Sequence, residues 1–136
     1  MISIKTIYYS LAAQIKGICD KAYYQDRPKA VKDRPNSYIV ISLPSNIRNM
    51  EIGQSGEYND YHTTAQIEVY VKDKQSSKNP NAVDINTMDD KVTKVLELFP
   101  IKDGKIVVTK PVITLDNVSD GDGFHVTFIQ GNLRTK

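Results

Sequence analysis

The sequence predicts an α+β domain, a two-layer sandwich in which two helices pack on one face of an antiparallel sheet. Two segments with helical spacing, near residues 4–18 and 88–99, are separated and followed by strand-like segments. Only one helix separates strands, which disfavours parallel, doubly wound folds. The length of 136 residues suits one domain. We therefore predict a single domain over residues 1–136 with the element order α-β-β-β-α-β-β.

The composition is that of a soluble globular protein and excludes several classes. Hydrophobic residues make up 40% and charged residues 25% of the chain, and the formal net charge is +2. No segment approaches the length of a membrane span, and the N-terminus lacks the apolar stretch of a signal peptide. We therefore expect a mature cytoplasmic protein without a membrane partner. The single cysteine, Cys19, excludes an intrachain disulfide and a cysteine-rich zinc site.

The first predicted elements are a helix, a short strand and a basic loop. Apolar residues recur at steps of three and four from Ile4 to Ile18, which predicts an amphipathic helix with Ser3 as its N-cap. The helix ends near residues 19–22, and a short strand over residues 22–25 follows. Residues 27–35 form a basic loop bracketed by two Arg-Pro pairs, in which the arginines are pushed towards extended geometry.

Two alternating segments predict longer strands on either side of a polar excursion. Residues 37–43 alternate until Pro44 ends the pattern, and residues 62–74 contain the clearest alternation in the chain. Residues 44–61 between them contain few apolar side chains, which predicts either an extended β-flap or a mobile loop with a function. A polar linker over residues 72–82 follows.

The second half of the chain predicts a helix and two strands. Apolar residues from Met88 to Phe99 have helical spacing, with a candidate cap at residues 86–87. Strands over residues 105–115 and 124–131 follow, joined by a turn rich in Asp and Gly. Pro111 interrupts the first of these strands, so we expect a β-bulge or a sheet-edge position there.

The residue types that most often carry chemistry form no recognised site. His62 and His125 lie on different predicted strands, and no nearby spacing requires a metal, so we interpret both as surface or structural histidines. Cys19 lies at the margin of the first helical stripe without a local base, and we expect a partly buried, inert thiol. We therefore predict no catalytic residue, no cofactor and no metal.

Three neighbouring aspartates, Asp116, Asp120 and Asp122, raise the alternative of calcium binding. Counting from Asp116 as the first ligand of an EF-hand places Val118 at the third position and Thr127 at the twelfth, so the pattern fails. We interpret this segment as an Asp/Gly hairpin turn. The sequence also contains no glycine-rich phosphate-binding signature.

The aromatic residues are skewed towards tyrosine, with eight Tyr, three Phe and no Trp. Several lie near the basic loop and the polar excursion: Tyr23, Tyr24, Tyr38, Tyr58 and Tyr61. Such rings beside Lys and Arg are consistent with structural burial, with a protein interface, or with a stacking surface for single-stranded nucleic acid. Tyr8 and Tyr70 lie on regular elements, where we expect half-burial.

Charge is distributed unevenly along the chain. Residues 1–37 contain seven Lys or Arg against three Asp, whereas residues 38–61 contain one Arg against three acidic residues. This distribution is typical of a solvated, mixed surface, and it also fits opposite patches that meet between identical subunits.

The layout of the chain resembles a known family. An N-terminal amphipathic helix, the strand RPNSYIVISLP after a proline-bracketed loop, and a long polar excursion come first. The alternating strand AQIEVYV, the helix NTMDDKVTKVLELFP and a closing pair of strands follow. This order resembles the phage tail-terminator family, with the related neck, tail-completion and minor tail proteins that also occur in prophages and contractile particles.

The resemblance implies a structural protein without enzymatic activity that forms a ring, usually a hexamer. Such a ring binds the end of the tail tube, stops its polymerisation and offers a surface to the head connector. The implied partners are copies of the chain itself, the tail-tube protein and the head-tail connector protein. The implied location is the cytoplasm during assembly and then the virion or prophage-derived particle.

The charges and tyrosines indicate eight candidate protein-interface residues: Arg27, Lys29, Lys32, Arg34, Arg48, Glu51, Tyr58 and Tyr70. Two other functions stay open as alternatives. A single-stranded nucleic-acid-binding module would use the basic loop and the clustered tyrosines, although the small net charge does not favour nucleic acid as a partner. An enzyme would use His62 or His125 with nearby carboxylates.

Overall fold

The computed structural model describes residues 3–45, 47–49, 61–74 and 82–135. Within these residues the chain forms two helices and seven strands, which confirms the predicted α+β class. In chain order they are α1 (Ile4–Ile15), β1 (Lys21–Tyr24), β2 (Ser37–Ser42), β3 (Arg48–Asn49), β4 (Tyr61–Lys72), α2 (Ile85–Glu97), β5 (Ile101–Asp103), β6 (Ile106–Ser119) and β7 (Phe124–Thr135). A single turn of 3-10 helix, Val31–Asp33, lies between β1 and β2.

The strands form one curled, mixed sheet in the order β1-β2-β4-β7-β6-β5, with β3 beside the start of β4. β1 and β2 run parallel, and the other pairs of the described residues are antiparallel. The predictions of a wholly antiparallel sheet and of the order α-β-β-β-α-β-β are therefore wrong. β3 and β5 have only two and three residues, too few to show a period of two. The loop after β1 returns the chain to the end at which β1 began, which makes β2 parallel to it.

Both helices pack on the same face of the sheet, as predicted, and we call this the inner face. Ile7 and Leu11 of α1 and Met88 and Val95 of α2 join one buried cluster with Ile67 of β4. Because side chains alternate along a strand, every second residue of β4 points instead to the opposite, outer face.

Local sequence determines where the helices begin and end. Ser3 caps α1 as predicted, since its hydroxyl accepts a backbone N–H of the first turn at 3.2 Å. α1 ends before the predicted residues 19–22 because Gly17 adopts a φ of +89°, which favours glycine and ends helices. α2 starts earlier than expected, because Asp84 accepts the Thr87 N–H at 3.1 Å and is the cap in place of residues 86–87.

β6 is irregular at the position that Pro111 marks. Its register against β7 shifts between Thr109 and Val112 and at two later points, and Lys110 adopts a φ of +55° at the first shift. β5 pairs only with Ile106–Val108, so beyond Thr109 β6 is an edge strand among the described residues. Both expectations for Pro111, a bulge and an edge position, are confirmed.

The polar excursion and the linker are only partly described. β3 pairs with the first two residues of β4, so the described end of the excursion joins the sheet as a short ladder. Residues 46, 50–60 and 75–81 lie outside the described residues. In the part of the chain that is described, neither helix has the length and apolar character needed to cross a lipid bilayer.

Candidate functional site

Arg34 fixes the basic loop, residues 27–35, on the outer face of the sheet. Its side chain is only 6% exposed. The guanidinium donates to the backbone carbonyl oxygens of Pro28 at 2.7 Å and Lys29 at 3.1 Å, and to Asp122 Oδ2 at 3.1 Å. Asp122 belongs to the turn between β6 and β7, so Arg34 both shapes the loop and ties it to that turn.

Arg27 makes a second link between the loop and the outer face. Its Nη1 donates to Tyr70 Oη at 2.6 Å, and Tyr70 donates in turn to Glu68 Oε1 at 2.9 Å. Its Nη2 lies 3.8 Å from carboxylate oxygens of Asp120 and Asp122. The arginines and aspartates of this region therefore meet within one chain.

Two stacked tyrosines lie under Arg27, whose guanidinium is 4.7 Å from the Tyr70 ring centroid. Tyr38 and Tyr70 have ring centroids 4.6 Å apart, and Tyr23 and Phe124 meet Tyr38 edge-on. Burial raises the pKa of Tyr38 to about 12, and the buried Tyr38 hydroxyl has no hydrogen-bond partner within the described residues. Burial, followed by the nearby Glu68 carboxylate, raises the pKa of Tyr70.

Three of the candidate interface residues lie together in this network. The side chains of Arg34 and Arg27 are 6% and 24% exposed, and Tyr70 is buried. Their hydrogen bonds and ion pairs hold the loop to the sheet, which is a structural role. Sequence reasoning found these residues through the Arg-Pro pairs and the outer face of β4, but it did not identify their partners.

The other candidate interface residues are dispersed. Lys29 and Lys32 are exposed on the basic loop. Arg48 is exposed on β3 at the opposite end of β4, so it does not join the loop. Glu51 and Tyr58 lie outside the described residues.

One open edge of the sheet carries exposed apolar side chains. β1 is an edge strand, with β2 as its only neighbour among the described residues. Ile4 and Tyr9 of α1 and Tyr24 of β1 are 44%, 53% and 44% exposed. Between α1 and β1 runs an open groove of about 310 Å³, and the short side chains of Ala12 and Ala13 form part of its wall. We call this surface the α1–β1 edge.

The other open edge is the free stretch of β6, Lys110–Ser119, which we call the β6 edge. It contains three exposed apolar residues: Val112 is 56% exposed, Ile113 is 41% exposed and Leu115 is 49% exposed. Leu115 lies opposite Phe128 on the outer face, and Ile113 lies opposite Ile129 on the inner face. Proteins usually protect an exposed apolar edge strand, because its free N–H and C=O groups can pair with another chain.

The two edges together hold most of the exposed apolar surface. Of the eight large apolar side chains that are exposed among the described residues, six lie on these edges, and the other two are Val31 and Ile85. As a possible interface residue, sequence reasoning named only Tyr24 of these six, as one of the tyrosines near the basic loop, and missed the other five. The sequence could have indicated that one of Val112 and Ile113 lies outside the core, because adjacent strand residues point to opposite faces of the sheet and cannot both pack in one core.

The two histidines lie too far apart to share a site. His62 is opposite Arg134 at the start of β4, and His125 is opposite Val71 near its end. These positions are nine residue steps apart along the extended strand, a distance of roughly 30 Å. His125 Nδ1 lies 2.5 Å from Asp73 Oδ1, a contact that ties β7 to the end of β4. The described residues contain no group of three or more His, Cys, Asp or Glu placed to hold a metal.

Cys19 is buried, and burial raises the pKa of its thiol to about 11. The thiol is therefore protonated at neutral pH, and the thiolate is the nucleophilic form. Cys19 is thus buried more completely than the partial burial expected from the sequence.

The aspartate-rich segment forms a turn. Asp120 Oδ1 accepts the backbone N–H groups of Asp122 at 2.7 Å and Phe124 at 3.2 Å. Gly121 and Gly123 both have positive φ. These contacts confirm the interpretation of a hairpin turn, whose carboxylates face Arg27 and Arg34.

Comparison of the chain with protein-family models gave no match, and comparison with curated proteins gave none either. We therefore assign the chain to no family, and its function is inferred from its own residues and geometry.

Proposed function

We propose that this chain is a structural protein of a phage or prophage tail, a ring-forming terminator that caps the tail tube and joins it to the head connector. The observation that carries the proposal is the concentration of exposed apolar side chains on two opposite edges of the sheet. The sequence segments that resemble the tail-terminator proteins, from the N-terminal amphipathic helix to the closing pair of strands, support the same function and a ring of six copies.

Two different apolar edges on one subunit are what a ring requires. In a ring, one surface of each copy meets a different surface of the next copy, whereas a two-fold dimer uses the same surface twice. The α1–β1 edge and the β6 edge lie at opposite ends of the strand order, so the contacts can continue from copy to copy. Contiguous exposed apolar surface on a small domain marks an association site.

A matched pair of variants tests self-association. Leu115→Asp places a charge on the β6 edge and should leave the chain monomeric at concentrations where the wild type forms rings. Ile85→Asp removes an apolar side chain that is 62% exposed but lies on neither edge, so this control should still form rings. Analytical ultracentrifugation and negative-stain microscopy distinguish these outcomes. Equal disruption by both variants would contradict the proposal.

The tube-capping function needs its own test. Tail tubes should be assembled with and without the chain, using the tail-tube protein from the same genome. We expect the chain to bind one tube end as a ring and to stop elongation. A chain that forms no ring either alone or on tubes, or a genome that encodes no tail tube and head connector near it, would contradict the proposal.

Single-stranded nucleic-acid binding is the second candidate function, because Lys29 and Lys32 are exposed on the basic loop. The arginines of this loop and the stacked tyrosines under it already bind other side chains of the chain, which weakens this candidate. It predicts affinity for a labelled oligothymidylate that falls steeply between low and high salt. No binding at low salt would exclude it.

A further inference from the structure

We propose that neighbouring copies join edge to edge, with the β6 edge of one copy added as a strand beside β1 of the next. This inference rests on the proposed ring and identifies the surfaces that meet in it. The result is one continuous sheet in which the helices of all copies lie on the same side.

The backbone of both edges is available for this pairing. β1 has a strand on one side only, and the β6 edge lacks a neighbour opposite β7 among the described residues. An edge strand presents a row of unpaired N–H and C=O groups, which a second edge strand satisfies. No other pair of surfaces in the described chain offers both a free strand edge and exposed large apolar side chains.

The side chains of the two edges match when the inner faces are continuous. Ile113 points to the inner face of its own sheet, so it would enter the groove between α1 and β1 of the next copy. Ala12 and Ala13 leave room there, and Tyr9 and Tyr24 supply apolar walls. A second apolar groove, of about 330 Å³ and lined by Ile4 and these tyrosines, continues the first along α1.

The outer faces match as well. Leu115 points to the outer face of its own sheet. In β1 the outer face carries Lys21 and Tyr23, which lie opposite Tyr38 and Val40 of β2. Leu115 would therefore extend the apolar surface that Tyr23 and Tyr38 form by their edge-on contact.

Charge selects the direction of the added strand. The β6 edge begins with the exposed Lys110 and carries the exposed Asp116 further along, whereas β1 begins with the exposed Lys21 and is followed by the exposed Asp26. In an antiparallel arrangement Lys110 lies towards Asp26 and Asp116 lies towards Lys21. A parallel arrangement would place Asp116 towards Asp26, two like charges, and parallel pairing is also slightly less stable per residue.

A mixing experiment tests this arrangement. Tyr9→Asp blocks the α1–β1 edge and keeps the β6 edge, while Ile113→Asp does the reverse. Each variant alone should be monomeric by native mass spectrometry. An equimolar mixture should form dimers of two 15.3 kDa chains and nothing larger, because each dimer has one blocked edge at either end.

The possible results separate this inference from the proposed function. If the wild type forms rings and Ile113→Asp forms them too, or if the mixture stays monomeric, the edge-to-edge arrangement is wrong while the ring stands. If the wild type forms no ring alone or on tubes, the proposed function itself fails. Ile4→Asp and Leu115→Asp form a second pair on the same edges, to be used if circular dichroism shows that a first variant is unfolded.

Discussion

Tyr38 and Tyr70 stack across β2 and β4 with their ring planes 11° apart, yet the environments of their hydroxyl groups differ. The Tyr70 hydroxyl donates to Glu68 and accepts from Arg27, whereas the Tyr38 hydroxyl is buried without a partner among the described residues. A buried polar group without a hydrogen bond destabilises the fold, and a satisfied one contributes modestly. The same chemical change at the two positions should therefore have opposite effects.

We expect Tyr38→Phe to raise the free energy of unfolding by up to about 1 kcal/mol, because it removes an unsatisfied buried hydroxyl. Tyr70→Phe should lower it by about 2 kcal/mol, because two hydrogen bonds to charged groups are lost. Urea unfolding of both variants measures the difference. If Tyr38→Phe is the more destabilising of the two, the assignment of these hydroxyl environments is wrong.

Alkaline pH should destabilise the chain through Tyr38. Its pKa is about 12 in the folded chain and about 10 in the unfolded chain, so folding favours the neutral phenol. This contribution is complete below about pH 10 and is lost as the pH rises towards 12. Urea midpoints measured from pH 8 to 12 should fall, from about pH 9 through Cys19 and from about pH 10 through Tyr38 and Tyr70, and the fall above pH 10 should be smaller in Tyr38→Phe. A midpoint independent of pH in the wild type would contradict the burial of this residue.

Arg34 should be the most important cation of the basic loop for stability. Arg34→Met removes three hydrogen bonds and leaves the carbonyl oxygens of Pro28 and Lys29 and the carboxylate of Asp122 without this donor, at a cost of about 2–3 kcal/mol. Lys32→Met removes the same charge from an exposed position and should change stability by less than about 0.5 kcal/mol. Thermal or urea unfolding compares them, and equal effects would mean that the loop is not held by Arg34.

Gly131 should not tolerate a methyl group. A Cβ at this position would lie 2.8 Å from Val108 Cγ1 and 2.9 Å from Phe99 Cε2, so Gly131→Ala forces the core apart and should cost about 1–3 kcal/mol. Asn132→Ala, at the exposed next residue, is the control and should change stability by less than about 0.5 kcal/mol. A neutral Gly131→Ala would show that β6 and β7 are less closely packed here than described.

The sequence predicted the elements that bury a regular stripe, and it failed where structure depends on distant partners. The sequence predicted the longer elements α1, α2, β2 and β4, because each contains enough residues for the apolar periodicity of a helix or a strand to appear. The four residues of β1 showed a strand but not its direction, because parallel pairing depends on where the basic loop returns the chain. β5 was missed because a strand of three residues carries no period.

The candidate site was predictable only in part, for the same reason. Arg34 was visible as a loop cation, but its partner Asp122 lies 88 positions away, so the sequence could not show that they pair. From the sequence alone, nothing distinguished Val112, Ile113 and Leu115 from the other residues of a predicted strand. They become an exposed edge only because β5 is too short to cover β6 beyond Val108, which is a property of the sheet order and not of the segment itself.

Amide hydrogen exchange, measured on the monomer and on the assembled ring, tests the central claim most directly. Edge-to-edge assembly predicts that the outward-pointing amides of Lys21–Tyr24 and Val112–Ser119, which are about every second one along each strand, exchange at least about ten-fold more slowly in the ring, because new interchain hydrogen bonds protect them. The exposed turn Val31–Asp33 should exchange at the same rate in both states. A ring in which both strand edges exchange as fast as in the monomer would contradict the account.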